Sequence, residues 1–240
     1  MYKLARSFIL FLMISIFPVF AIEITPMVVT LSPEKTAPFS IIYNDLPRDI
    51  AFDIQVYEVK FDKAGIYKPA LIPLNNSPLW VFPPSLFLES GQHQKIQFRW
   101  LGDKFPAMDK TYQVSLIEEG INSISIAESS KLRILMNLNL IIHIDQEALK
   151  PDLVIGKPYI EKGYLITRVI NRGAGAARLS DYNIKIKKKN IKVGEYYKNQ
   201  LKERGYDVFF PPYCSVLIKL PIPKSVKKDG LYGFHIDLVG

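Results

Sequence analysis

The chain reads as an all-β protein built from two sandwiches. Three features of its 240 residues predict this. Short β-branched and aromatic runs recur along the chain, Pro, Gly, Asn and Asp clusters separate them, and helical periodicity is scarce. A single cysteine, Cys214, excludes an internal disulfide, so packing has to hold the fold.

The first residues carry Lys3 and Arg6 without an acid and lead into the apolar run Phe8 to Phe20. A basic start, a short apolar stretch and the ending Val19-Phe20-Ala21 are the marks of a secretory signal peptide, residues 1–21, cut after Ala21. The run is too short for a membrane anchor, which takes roughly 20 apolar residues, and polar residues or prolines break every later one. The mature chain is expected to be soluble and, with 31 Lys and Arg against 23 Asp and Glu overall, moderately basic.

Strands are expected first at Ile22 to Thr25 and Met27 to Leu31, with Pro26 between them suited to an edge or bulge. Phe39 to Tyr43 follows. Ile50 to Val59 alternates Phe52, Ile54 and Val56 against Asp53, Gln55 and Tyr57, giving one dry and one wet face. Leu79 to Phe82, Leu86 to Leu88, Lys95 to Trp100 and Tyr112 to Leu116 bring the count before Asp145 to about seven, the number of one immunoglobulin-like domain. Leu132 to Asp145 then carries apolar residues at every even position. At about 3.3 Å per residue this strand would be on the order of 45 Å long, more than one sandwich uses.

Gln146 to Pro151 reads as a linker, which sets domains at 22–147 and 148–240. The second half restarts with strands at Tyr159-Ile160, Tyr164 to Ile170, Tyr182 to Ile186, Val208 to Phe210, Val216 to Leu220 and Leu231 to Leu238, with glycines such as Gly163, Gly173 and Gly175 at turns.

Sharper chemistries fare poorly. The three histidines, His93, His143 and His235, lack ligand spacing, so no metal site is expected. Glu118 and Glu119 are neighbours on one strand and face opposite ways; they read as a solvated strand end rather than an acid–base pair. The basic run Lys185 to Lys192 reads as a solvated strand end and turn, not a nucleic-acid site. Cys214 reads as a buried thiol. No catalytic residue and no cofactor is expected, and the chain reads as a binding protein rather than an enzyme.

Several motifs in order carry a resemblance. They are Val81-Phe82-Pro83-Pro84-Ser85-Leu86-Phe87-Leu88-Glu89-Ser90-Gly91-Gln92, then Ile96-Gln97-Phe98-Arg99-Trp100-Leu101-Gly102, then Asp109 to Glu119. In the second half, Leu165 to Gly173 with an Asn171-x-Gly173 turn is followed by Ala177-Arg178-Leu179-Ser180. Together they resemble the periplasmic pilus-assembly chaperones of the PapD-like family, nearer its archaic or alternative branch. The resemblance implies two immunoglobulin-like domains in a boomerang arrangement with a cleft between them. It also implies donor-strand complementation: the long strand is lent to a pilin subunit that lacks its last strand, and the subunit passes to an outer-membrane usher. On this reading Leu132, Ile134 and Met136 fill the subunit's groove, with Leu138 and Leu140 nearer the domain's own base. Many members grip the subunit's terminal carboxylate with an Arg and a Lys; those positions here are Met27 and Asn139. A self-capping homodimer is a further expectation for an exposed edge of this kind. A structural surface or pilus component and a noncatalytic carbohydrate-binding module are the alternative readings.

Overall fold

The computed structural model describes residues 21–34, 37–62, 69–120, 134–188, 191–205, 207–222 and 234–239. The expected leader, apart from Ala21, and Leu132 lie outside these described residues. Among the described residues ten strands precede the linker: β1 (Ile22–Thr25), β2 (Val28–Leu31), β3 (Phe39–Asn44), β4 (Ile50–Lys60), β5 (Ala70–Pro73), β6 (Leu79–Phe82), β7 (Ser85–Leu88), β8 (His93–Trp100), β9 (Lys110–Glu119) and β10 (Asn137–Ile144). They form one sheet in the order β1-β3-β8-β6 and a second in the order β2-β10-β9-β4-β5, with β7 also paired to β4.

Of these strands, β5 is the one the sequence does not predict, a four-residue run laid along the edge of β4. The chain passes from one sheet to the other at Pro26, which has no N–H to give to a ladder, so β1 and β2 lie in different sheets. The long β4 is paired along one edge by two short strands, β7 at Ile50 to Asp53 and β5 at Tyr57 to Lys60.

Alternation does the rest. Ile42 of β3, Phe52 of β4, Ile96 and Phe98 of β8, Val114 and Leu116 of β9, and Leu140, Ile142 and Ile144 of β10 turn inward and meet in one core. Each such side chain contributes roughly 1.5–3 kcal/mol on burial. Asn44 is the polar exception. It is fully buried, and its amide donates to the carbonyls of Arg48, Leu88 and Glu89, tying the end of β3 to the hairpin that follows β7.

The second half contains β11 (Leu153–Ile155), β12 (Tyr159–Glu161), β13 (Tyr164–Asn171), β14 (Ala177–Arg178), β15 (Asn183–Lys188), β16 (Ile191–Tyr196), α1 (Lys198–Glu203), β17 (Phe209–Phe210), β18 (Ser215–Pro221) and β19 (Phe234–Val239). Leu165, Val169, Ile184, Ile186, Leu201, Phe210, Ile218 and Leu220 build a separate core. Helix α1 was not expected: six residues with Leu201 as their only large apolar group are too few to display a 3.6-residue period.

Backbone contact, not side chains, joins the linker to the second sandwich. A Cβ at Gly173 would stand 2.2 Å from the Lys150 carbonyl oxygen, and one at Gly175 would stand 2.5 Å from that of Leu149. Only glycine admits so close an approach. The buried Asn171 completes the corner, accepting from the N–H groups of Asp152 and Gly173 and donating to the carbonyls of Gly175 and Phe210.

Candidate functional site

Strand β10 has two different edges. Along one it pairs antiparallel with β9 from Asn137 to Ile144. Along the other it pairs parallel with β2, but only from Ile141 to Ile144. The Ile141 N–H donates to the Met27 carbonyl at 2.9 Å and the Asp145 N–H to that of Leu31 at 3.0 Å, so odd-numbered residues aim their main chain at this second edge. The Glu118 N–H donates to the Met136 carbonyl, so even-numbered residues aim theirs at β9. By the same alternation Asn137 and Asn139 present main-chain N–H and C=O groups to an edge on which no described strand lies.

The strand is shorter than the sequence predicts. Eight residues span roughly 26 Å, and Ile134, Leu135 and Met136 precede it outside regular pairing. Ile134 is 74% exposed and Leu135 49%. Met136 is half-buried and still held to β9: its N–H donates to the Glu118 carboxylate at 3.1 Å. That carboxylate also takes the Arg48 guanidinium as an ion pair. Glu118 is thus buried and doubly engaged, which corrects its reading as a solvated strand end. Leu138 is half-buried and Leu140 fully buried in its own core, so Leu140 is not free to enter a partner's groove.

Met27 stands one residue before β2, and Asn139 lies on β10 two residues before the stretch that β2 pairs with. Met27 is half exposed. The Asn139 oxygen accepts from the Ser115 hydroxyl at 2.7 Å and the Gln113 amide at 3.0 Å, making a neutral ladder across β9 and β10.

Below this ladder the second sandwich closes on the same face. Asp109, at the foot of β9, donates its N–H to the Ala174 carbonyl at 2.9 Å, and its carboxylate accepts from the N–H of Ala176 at 2.7 Å and of Gln146 at 3.2 Å. Burial, with a smaller push from the Asp145 carboxylate, raises its pKa to about 6. His143 of β10 lies between Thr111 and Arg178, each at 3.0 Å, and its ring is 4.7 Å from that of Phe209. The guanidinium can only donate, so Nε2 accepts and Nδ1–H points at the Thr111 hydroxyl. Burial, reinforced by the Arg178 charge, drops the His143 pKa to about 4. Cys214 is buried in the same joint, its Sγ 4.0 Å from the Phe61 carbonyl oxygen. Sequence reasoning missed Asp109, His143 and Arg178 as a joint because they come from three separate stretches with no shared spacing.

Among the described residues no group of His, Cys, Asp and Glu could hold a metal ion; the His235 side chain lies outside them. In the basic run, Lys187 pairs with Asp237 at 2.6 Å and Lys192 with Glu195 at 2.9 Å, both at the surface.

The whole arrangement is that of known proteins. The chain has the two-sandwich fold of fimbrial periplasmic chaperones. The class 5 fimbriae chaperone CfaA superimposes with a TM-score of 0.58 at 14% identity, over 92% of this chain and 99% of that one. A structure of the chaperone–tip adhesin complex of CFA/I fimbriae biogenesis gives 0.56 at 15%, over 91% and 98%. The CsuC–CsuE chaperone–tip subunit complex from the archaic Csu pili of Acinetobacter baumannii gives 0.51 at 13%, over 84% and 90%. No family model matches the sequence, and no curated protein does.

Proposed function

We propose that this chain is an exported, periplasmic chaperone of fimbrial subunits that holds a pilin-like subunit by lending it the open edge of β10 and then delivers it to an outer-membrane usher. The observation that carries the reading is the division of that edge: β2 occupies Ile141 to Ile144, and Asn137 to Leu140 face no described strand. An open edge beside exposed apolar side chains is an aggregation hazard that a free-standing sandwich normally blunts. It serves a protein that works by β-augmentation, where main-chain hydrogen bonds hold the partner and alternate side chains select it.

In this reading Leu132, Ile134 and Met136 enter the subunit's groove and Leu138 stands at its boundary. Each fully buried insertion is worth roughly 1.5–3 kcal/mol before ordering costs. Met27 and Asn139 mark the place where the subunit's end would lie, with the neutral Asn139 amide as the donor instead of a cation pair. The fold shared with CfaA and with chaperones solved alongside tip subunits supports the assignment.

The test is a pull-down of the exported chain from the periplasm of its host, wild type against Ile134→Asp. The exposed position tolerates the substitution without unfolding, which far-UV circular dichroism checks. Recovery of a small pilin-like protein with wild type and its loss with Ile134→Asp is the expected result. Equal recovery with both, or none with a folded wild type, refutes strand donation.

A further inference from the structure

The first sandwich has a second unusual surface, on the opposite sheet from β10. Alternation in β1-β3-β8-β6 buries Leu79, Ile42, Ile96 and Phe98 and turns their neighbours outward. The register sets these neighbours side by side: Trp80 beside Arg99, Phe82 and Phe39 each beside Gln97. The rings and cations are already engaged with one another. Trp80 and Phe82 stack at 5.3 Å with 13° between planes, Arg99 stands 5.9 Å over Trp80, and the Lys95 ammonium lies 3.9 Å from the Phe39 centroid. Phe82 is 49% and Phe39 43% exposed.

Isolated exposed apolar residues need no explanation, but several gathered on one flat face do. Trp, Phe and Arg are the residue types that dominate the cores of protein interfaces. The face also has a sign. Its strands carry Lys95 and Arg99 on central β8, and their only acid is Glu23 on the far edge strand β1. The ring geometry selects among partners: Trp80 and Phe82 are stacked on each other and so do not spread a flat platform for a sugar. With only two cations, neither free of a ring, the face is a poor match for the dense charge of a membrane or a nucleic acid.

We propose that the outer face of β1-β3-β8-β6 docks an acidic protein surface, one whose carboxylates flank apolar or aromatic side chains. Carboxylates meet Lys95 and Arg99, the partner's apolar groups cover Phe39, Trp80 and Phe82, and Gln97 supplies a neutral donor and acceptor at the centre. The face belongs to the other sheet from β10, so the two surfaces can be occupied together. This inference does not depend on strand donation.

The probe is a random Glu/Tyr copolymer added to the exported chain, read by fluorescence anisotropy and by amide shifts in NMR. Polyglutamate, heparin and phosphatidylglycerol vesicles are run beside it. Binding of the copolymer should weaken at least tenfold in Lys95→Glu/Arg99→Glu and in Trp80→Ala, with shifts concentrated on β8 and β6. Lys188→Glu/Lys192→Glu, in the distant basic run, should leave it unchanged. Two results overturn the proposal. One is loss of binding in the Lys188/Lys192 variant with none in the face variants; the other is polyglutamate, heparin or vesicles binding as tightly as the copolymer with the same mutational profile. All variants are compared at equal folded fraction by circular dichroism, so a misfolded protein cannot imitate a lost contact.

Discussion

Acidification should act on the joint between the sandwiches through two groups of opposite sign. His143 is held neutral, with a folded pKa of about 4 against an ordinary 6.5. Its folded value is depressed, so the unfolded chain takes up the proton first: stability is intact above pH 6.5, falls as pH drops from there toward 4, and levels off below. A difference of about 2.5 pH units at roughly 1.4 kcal/mol each gives a loss on the order of 3 kcal/mol. Asp109 opposes it. Its folded pKa is raised to about 6 from 3.8, so the folded state takes up that proton first and gains stability between pH 6 and 4. The gap from 3.8 to about 6 is narrower than that from 6.5 to about 4, so Asp109 offsets most but not all of the His143 loss. The other charges around the pair are Arg178, Lys110, Asp145 and Asp181. Urea unfolding by far-UV circular dichroism at pH 7.5, 6, 5 and 4.5 resolves the two. Wild type should lose stability modestly, His143→Gln should lose less or gain, and Asp109→Asn should lose more steeply. Identical pH slopes for wild type and His143→Gln would refute the reasoning.

Further substitutions test other parts of the structure. Gly173→Ala forces its methyl into the Lys150 carbonyl and should break the bonds that hold the linker, among them Arg172 N–H to Asp152 O at 2.8 Å, costing about 2–4 kcal/mol in urea unfolding; a change under about 0.5 kcal/mol would show that the linker gives way freely. Glu118→Ala leaves Arg48 and the Met136 N–H without their acceptor and should cost about 2–4 kcal/mol, with faster hydrogen exchange at Met136 as the local readout. Leu140→Ala opens a cavity in the first core and should cost about 2–5 kcal/mol by the same unfolding assay while leaving subunit capture intact at temperatures where the variant is folded.

The strands that alternate against their own core were legible because inside and outside differ at every second residue. Ile50 to Val59 and Lys95 to Trp100 are examples, and β4 and β8 lie where the alternation put them. Leu132 to Ile144 was harder for the same reason. Its apolar period is identical whether a side chain faces its own domain, as Leu140 does, or stands in solvent, as Ile134 does. Period reports that a face wants to be dry, not whose surface dries it. Glu118 was misread because its partner Arg48 is 70 residues away. The cleft positions Met27 and Asn139 were placed only by resemblance, since neither residue type carries a chemical signal of its own.

The crossing of the first strand between sheets at Pro26 sets a length. Everything in β10 beyond the point where β2 begins is left for another chain to pair with, so that crossover works as a ruler for how much main chain is on offer. Sliding it by two residues toward the N-terminus would let β2 cover Asn139 as well and withdraw one residue's N–H and C=O from any partner; sliding it the other way would expose Ile141. Affinity for a partner strand could therefore be tuned from a part of the sequence that need never touch it.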